Sequence, residues 1–122
     1  MVIRTASVVL SLAGLLALIS GLLFWTGIAL NLISMHMQLG LLAVAALWVI
    51  GIAQAFSKAR SWIIGACTLV VGILMIIIGV SQSSLMAGEF HWVIQVTHLA
   101  LGVLTIGVGH VAAARYRKRS AG

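Results

Sequence analysis

The chain has 122 residues, 63% of them hydrophobic, with 7 Lys and Arg against 1 acid, a net charge of +6 and no proline. With a mean hydropathy of +1.27, this composition excludes a soluble globular domain and reads as an integral membrane protein. It also excludes nucleic acid as a partner, because the basic residues have no soluble surface to form; attraction to anionic membrane lipid accounts for them.

A spanning helix needs about 20 mostly apolar residues, and four runs meet that length. The first covers residues 6–26 and contains "GLLALISG", with Gly14 and Gly21 one heptad apart. Arg4 ahead of it resembles the start of a signal peptide. The run is too long for the apolar h-region of such a segment, and no convincing small-x-small cleavage site closes it, so it is expected to remain as a span.

The second run, residues 28–56, carries a histidine within "SMHMQLG". The third, residues 62–83, contains "GILMIIIG", with Gly72 and Gly79 again one heptad apart, and holds Cys67. This lone cysteine has no disulfide partner and reads as a small packing residue, which also excludes dithiol chemistry. The fourth run, residues 90–114, ends before Arg115, Arg117, Lys118 and Arg119.

Basic residues near short loops are retained on the cytoplasmic side. Arg4, the Lys58 and Arg60 pair, and the C-terminal cluster fall on one face if the spans number four. Both termini are therefore expected to be cytoplasmic, with Glu89 outside, and Trp25, Trp48, Trp62 and Trp92 mark helix ends. The expected fold is all-α: a four-helix up-down bundle forming one domain over residues 1–122, in a bacterial plasma (inner) membrane.

The chain also repeats itself. "HMQLGLL" in the second run matches "HLALGVL" in the fourth, placing His36 over His98 and Gly40 over Gly102. The first and third runs correspond through their glycine pairs. The expectation is two parallel helical hairpins, residues 1–57 and 58–122, related by a two-fold axis along the membrane normal.

Helices starting after Gly27 and Gly88 would put each histidine about 15 Å deep, in the outer leaflet. Diagonal helices of a bundle stand roughly 11 to 14 Å apart, which leaves room for a metal macrocycle between two imidazoles. A six-coordinate haem requires that arrangement. Gly40 and Gly102, each four residues after its histidine, lie one turn deeper on the same face and would leave a patch free of side chains for a flat ring.

On these residues the chain resembles the transmembrane b-type cytochromes, in which a four-helix bundle holds haem b between histidines of facing helices. The resemblance implies one haem b near the outer face, with His36 and His98 as axial ligands, and one-electron transfer between a quinol or membrane partner and another redox partner. A larger redox complex or a homodimer is then the expected assembly. Related cytochromes with two haems place a second histidine 13 or 14 residues along the helix, where this chain has Val49 and Ile50 after His36. One haem is therefore expected.

His91, seven residues before His98, shares its face and is expected either to contact a haem propionate or quinone, or to sit at the membrane interface. His110 is turned about 120° from His98 and reads as a packing residue. The alternative cofactor is copper, bound or transported by Met35, Met37, Met86 and the histidines, since soft sulfur and imidazole suit Cu(I). A third reading is a non-catalytic anchor or assembly subunit. Hydrolytic chemistry is excluded, because no acid lies within a span to complete a Ser-His-Asp set.

Overall fold

The computed structural model describes residues 1–57 and 61–120, so Lys58 and Arg60, on which the orientation argument draws, lie outside the described residues. Four α-helices make up the fold: α1 (Val2–Trp25), α2 (Ile33–Phe56), α3 (Trp62–Ser81) and α4 (His91–Ser120), and no strand is present among the described residues. All four are long and apolar enough to cross a membrane. With no proline anywhere, nothing removes a donor from the helical ladders.

The ends of the helices differ from the sequence boundaries for identifiable reasons. α1 begins at Val2 rather than at residue 6, and α4 runs on to Ser120 with Arg117, Lys118 and Arg119 in its last turn. Cations are favourable there because they face the negative end of the helix dipole. α2 starts at Ile33 rather than at residue 28, and a single 3-10 turn, Leu30–Leu32, precedes it.

That delay follows from how α1 stops. Gly27, at φ +77°, sends its N–H to the Phe24 carbonyl, while the Ile28 N–H reaches the Leu23 carbonyl. This pair of bonds is a Schellman cap, which needs a left-handed residue directly after the helix. Ala29 is also left-handed, at φ 59°. Two such residues turn the chain through the loop before helix can resume.

α2 packs against α1, α3 and α4, and α4 packs against α1, α2 and α3. The cross-section is therefore a rhombus: α2 and α4 touch across its short diagonal, and α1 and α3 stand at its far corners. Small residues permit the approach, as they do where helices pack without a hydrophobic driving force. A Cβ on Gly109 of α4 would run into Leu10 of α1 and reach Leu47 of α2 at 3.2 Å. Leu10 and Leu47 are themselves wholly buried and anchor the core with Ile50, Ala112 and Ala113. Large apolar side chains such as Leu15, Ile52, Ile63, Val70 and Val103 remain exposed around the outside.

The contacts of the two hairpins occur in matched pairs. Gly14 faces Ile106, and its counterpart Gly72 faces Trp48 together with Val44, the residue equivalent to Ile106. Gly21 seats His36, and Gly79 seats His98.

Candidate functional site

Each imidazole rests on a glycine of the neighbouring helix in its own hairpin. A Cβ built on Gly21 would lie 3.2 Å from Cε1 and 3.9 Å from Nδ1 of His36; on Gly79 the same two distances to His98 are 3.2 and 3.9 Å. The Nδ1–Cε1 edges thus lie on α1 and α3, and the Nε2–Cδ2 edges turn away from those outer helices. Across the short diagonal the two rings come to 6.1 Å between centroids, tilted by 59°.

This approach is closer than the spacing of diagonal helices in a square bundle suggests, because α2 and α4 are in contact. The histidines also enter at different points: His36 lies in the first turn of α2, and His98 about two turns into α4. The loop and the 3-10 turn ahead of α2 absorb that offset, so that both rings reach one level of the bundle.

Beyond their glycine seats the two histidines have different surroundings. Nδ1 of His36 is 2.9 Å from Ser20 Oγ, and the Phe24 ring meets it edge-on at 5.3 Å and 71°. Nδ1 of His98 is buried and has no hydrogen-bond partner among the described residues. The position that matches Ser20 in the second hairpin is Ile78, which carries no hydroxyl.

Both rings line a cavity of about 120 Å³. Gly40 and Gly102 lie in its wall, as expected from their spacing. A Cβ on Gly40 would enter open space, while Leu18 and Met75 approach Gly102 to 3.3 and 3.7 Å of its Cβ position. Most of the remaining lining is apolar, including Ala17, Leu22, Ala43, Leu99 and Ile106; Gln82, Gln95 and Thr105 supply polar atoms. Cavities that accept organic ligands usually measure about 300 to 1,000 Å³. A macrocycle would therefore have to displace mobile side chains such as Leu18, Met75 and Ile106, whereas an ion would not.

His91 does not reach the cavity. Its Nδ1 donates to the Leu85 carbonyl at 3.3 Å, which ties the start of α4 to the preceding loop. His110 is paired with Ser11 of α1 through Nε2 at 2.9 Å. Met35, Met37 and Met86 are all about half exposed and stand outside the cavity lining. Met75 is the thioether that the fold brings to the histidines.

Sequence reasoning pointed to His36, His98, Gly40 and Gly102, and missed Ser20, Phe24 and Met75. It read Gly21 and Gly79 as helix-thinning positions and not as seats for the imidazoles. The available signal was the duplicated heptad glycine, whose second member lies beside the ring in both hairpins. Among the described residues no group of three or more His, Cys, Asp or Glu side chains could hold a metal ion. A metal here would take its protein nitrogens from two imidazoles.

The spacing of the two rings suits imidazoles that share one metal. Two metal–nitrogen bonds of about 2 Å each put the centroids of a bis-imidazole pair about 6 Å apart, close to the spacing found. The chain matches no protein-family model, no curated protein and no solved structure.

Proposed function

We propose that the protein is a multi-pass membrane cytochrome of the b type, holding one haem b between His36 and His98 and passing single electrons. The observation that carries this reading is the 6.1 Å separation of two duplicated imidazoles across a glycine-walled, largely apolar cavity. When bound, haem supplies a one-electron couple whose potential depends on its axial ligands and on its burial.

The chain's own residues perform the rest. His36 and His98 would hold the haem between them and would leave no open position on the metal for oxygen. Gly40 leaves one face of the cavity bare, and the surrounding apolar side chains exclude water. Gln82 and Gln95, the amides in the wall, offer hydrogen bonds to carboxylates or to a quinone carbonyl.

In the proposed orientation Arg4 and the cluster from Arg115 to Arg119 face the cytoplasm and anionic lipid, which places the cavity toward the outer leaflet of a bacterial plasma membrane. A single haem at that depth serves a quinol in the membrane or an extracytoplasmic redox protein. Electron transfer across the full bilayer would then need a second copy or a partner subunit.

An optical spectrum of the detergent-purified chain, oxidised and then dithionite-reduced, is the test. A sharp low-spin Soret and α-band pair, abolished by His36→Ala and by His98→Ala, is expected. A colourless protein that takes up no haem would overturn the assignment.

Met75 supports a second reading. Two imidazoles and one thioether suit Cu(I), and an ion fits a cavity of about 120 Å³ without rearrangement. Copper analysis of the same sample separates the two. Absence of both metals would leave the chain as an anchor or assembly subunit.

A further inference from the structure

Ser20 is the only hydroxyl bonded to either histidine of the cavity among the described residues, and its contacts bear on which way the His36 proton faces. Its Oγ lies 2.9 Å from the Leu16 carbonyl and 3.0 Å from the Ala17 carbonyl, both of which can only accept. A hydroxyl has one proton and two lone pairs. With that proton directed to the helix carbonyls, the 2.9 Å contact to His36 Nδ1 is made by a lone pair of Oγ, and the ring must donate.

The opposite nitrogen turns toward the cavity, whose walls are largely apolar.

We infer that Ser20 is a positioning residue: it holds His36 in the Nδ1–H tautomer, so that Nε2 presents the lone pair to the cavity, and it does so for one of two imidazoles that rest on matched glycine seats. The second hairpin has Ile78 at the corresponding position, beside a glycine seat of the same dimensions, and the His98 Nδ1 has no partner among the described residues. The two histidines are therefore unequal donors. The tautomer assignment stands without any metal; its consequence for a bound metal rests on the haem reading.

The test uses the full chain, labelled with ¹⁵N-histidine, in detergent without haem or copper, at about pH 8 so that the rings are neutral. Two-bond ¹H–¹⁵N correlations are expected to show a pyrrole-type Nδ1 and a pyridine-type Nε2 for His36. Ser20→Ala should lose that preference and Ser20→Thr should keep it. Ile78→Ser should impose the same tautomer on His98, and because it adds a partner instead of removing one, it decides the matter even if Ser20→Ala fails to fold.

An Nε2–H tautomer of His36 in the wild-type chain, or a His98 spectrum unmoved in Ile78→Ser, would overturn the inference. In haem-loaded samples the bond from Nδ1–H raises ligand basicity, so Ser20→Ala should raise the midpoint potential and Ile78→Ser should lower it. Potentials unmoved by either change would refute the effect of Ser20 on the metal. A wild-type chain with the expected tautomer that takes up no haem leaves the positioning intact and removes the cytochrome reading alone.

Discussion

Gly21 and Gly79 are the residues where adding one carbon tests the site most directly. At 3.2 Å from Cε1, a new Cβ obliges the imidazole to shift by a few tenths of an ångström. Gly79→Ala is expected to leave helicity unchanged by circular dichroism while lowering haem or copper occupancy of the purified protein several-fold. Gly40→Leu probes the opposite wall: a Cβ there meets nothing within 4 Å, so the side chain fills the cavity. Thermal stability should be held or raised, and metal uptake lost. The histidines and the spacing of Gly40 and Gly102 were legible in the sequence because both were duplicated. Ser20 was not, since its role depends on a partner in another helix, and duplication hides a residue that only one repeat possesses.

At the scale of the helix, close packing sets the costs. A Cβ on Gly65 of α3 would stand 2.9 Å from Ala55 Cβ and 3.2 Å from the Gly51 carbonyl of α2. Backbone cannot yield as a long side chain does, so Gly65→Ala should destabilise the α2–α3 contact by about 1 to 3 kcal/mol, as overpacking does. Thermal unfolding in detergent would measure this.

Gln54 of α2 shows the converse. It is wholly buried, and neither atom of its amide finds a partner among the described residues. Gln54→Met, similar in volume, removes that desolvation penalty and should stabilise by about 1 to 3 kcal/mol in the same assay.

The spans themselves were plain from hydropathy. Their limits were not, because a Schellman cap and a left-handed alanine are properties of the backbone at Gly27 and Ala29, and no hydropathy window registers them. Hydropathy also stops at residue 114, where the charges begin, although a helix can continue through charged residues, as α4 does to Ser120.

For the whole molecule, the positions of Arg4 and of the residues from Arg115 to Arg119 give an orientation that can be measured. Reporter fusions at both termini should be active only in their cytoplasmic form, and a cysteine at Glu89 in a Cys67→Ser background should react with an impermeant thiol reagent added from outside. The reverse labelling pattern would move the cavity to the inner leaflet. The sequence also allowed α2 and α4 to lie diagonally. That the diagonal is the short one was not visible in it, because the choice between a square and a rhombus is made by contacts such as Gly109 on Leu10 and Leu47, which join three helices at once.

The rhombus has a mechanical consequence. Four rods of fixed edge spacing joined in a ring behave as a jointed parallelogram, in which one diagonal lengthens only as the other shortens. Any plate-shaped guest that pushes α2 from α4 must draw α1 toward α3. Spin labels on those far corners would then move inward on loading, and an occupant of the interior would announce itself on the outside as a change of girth.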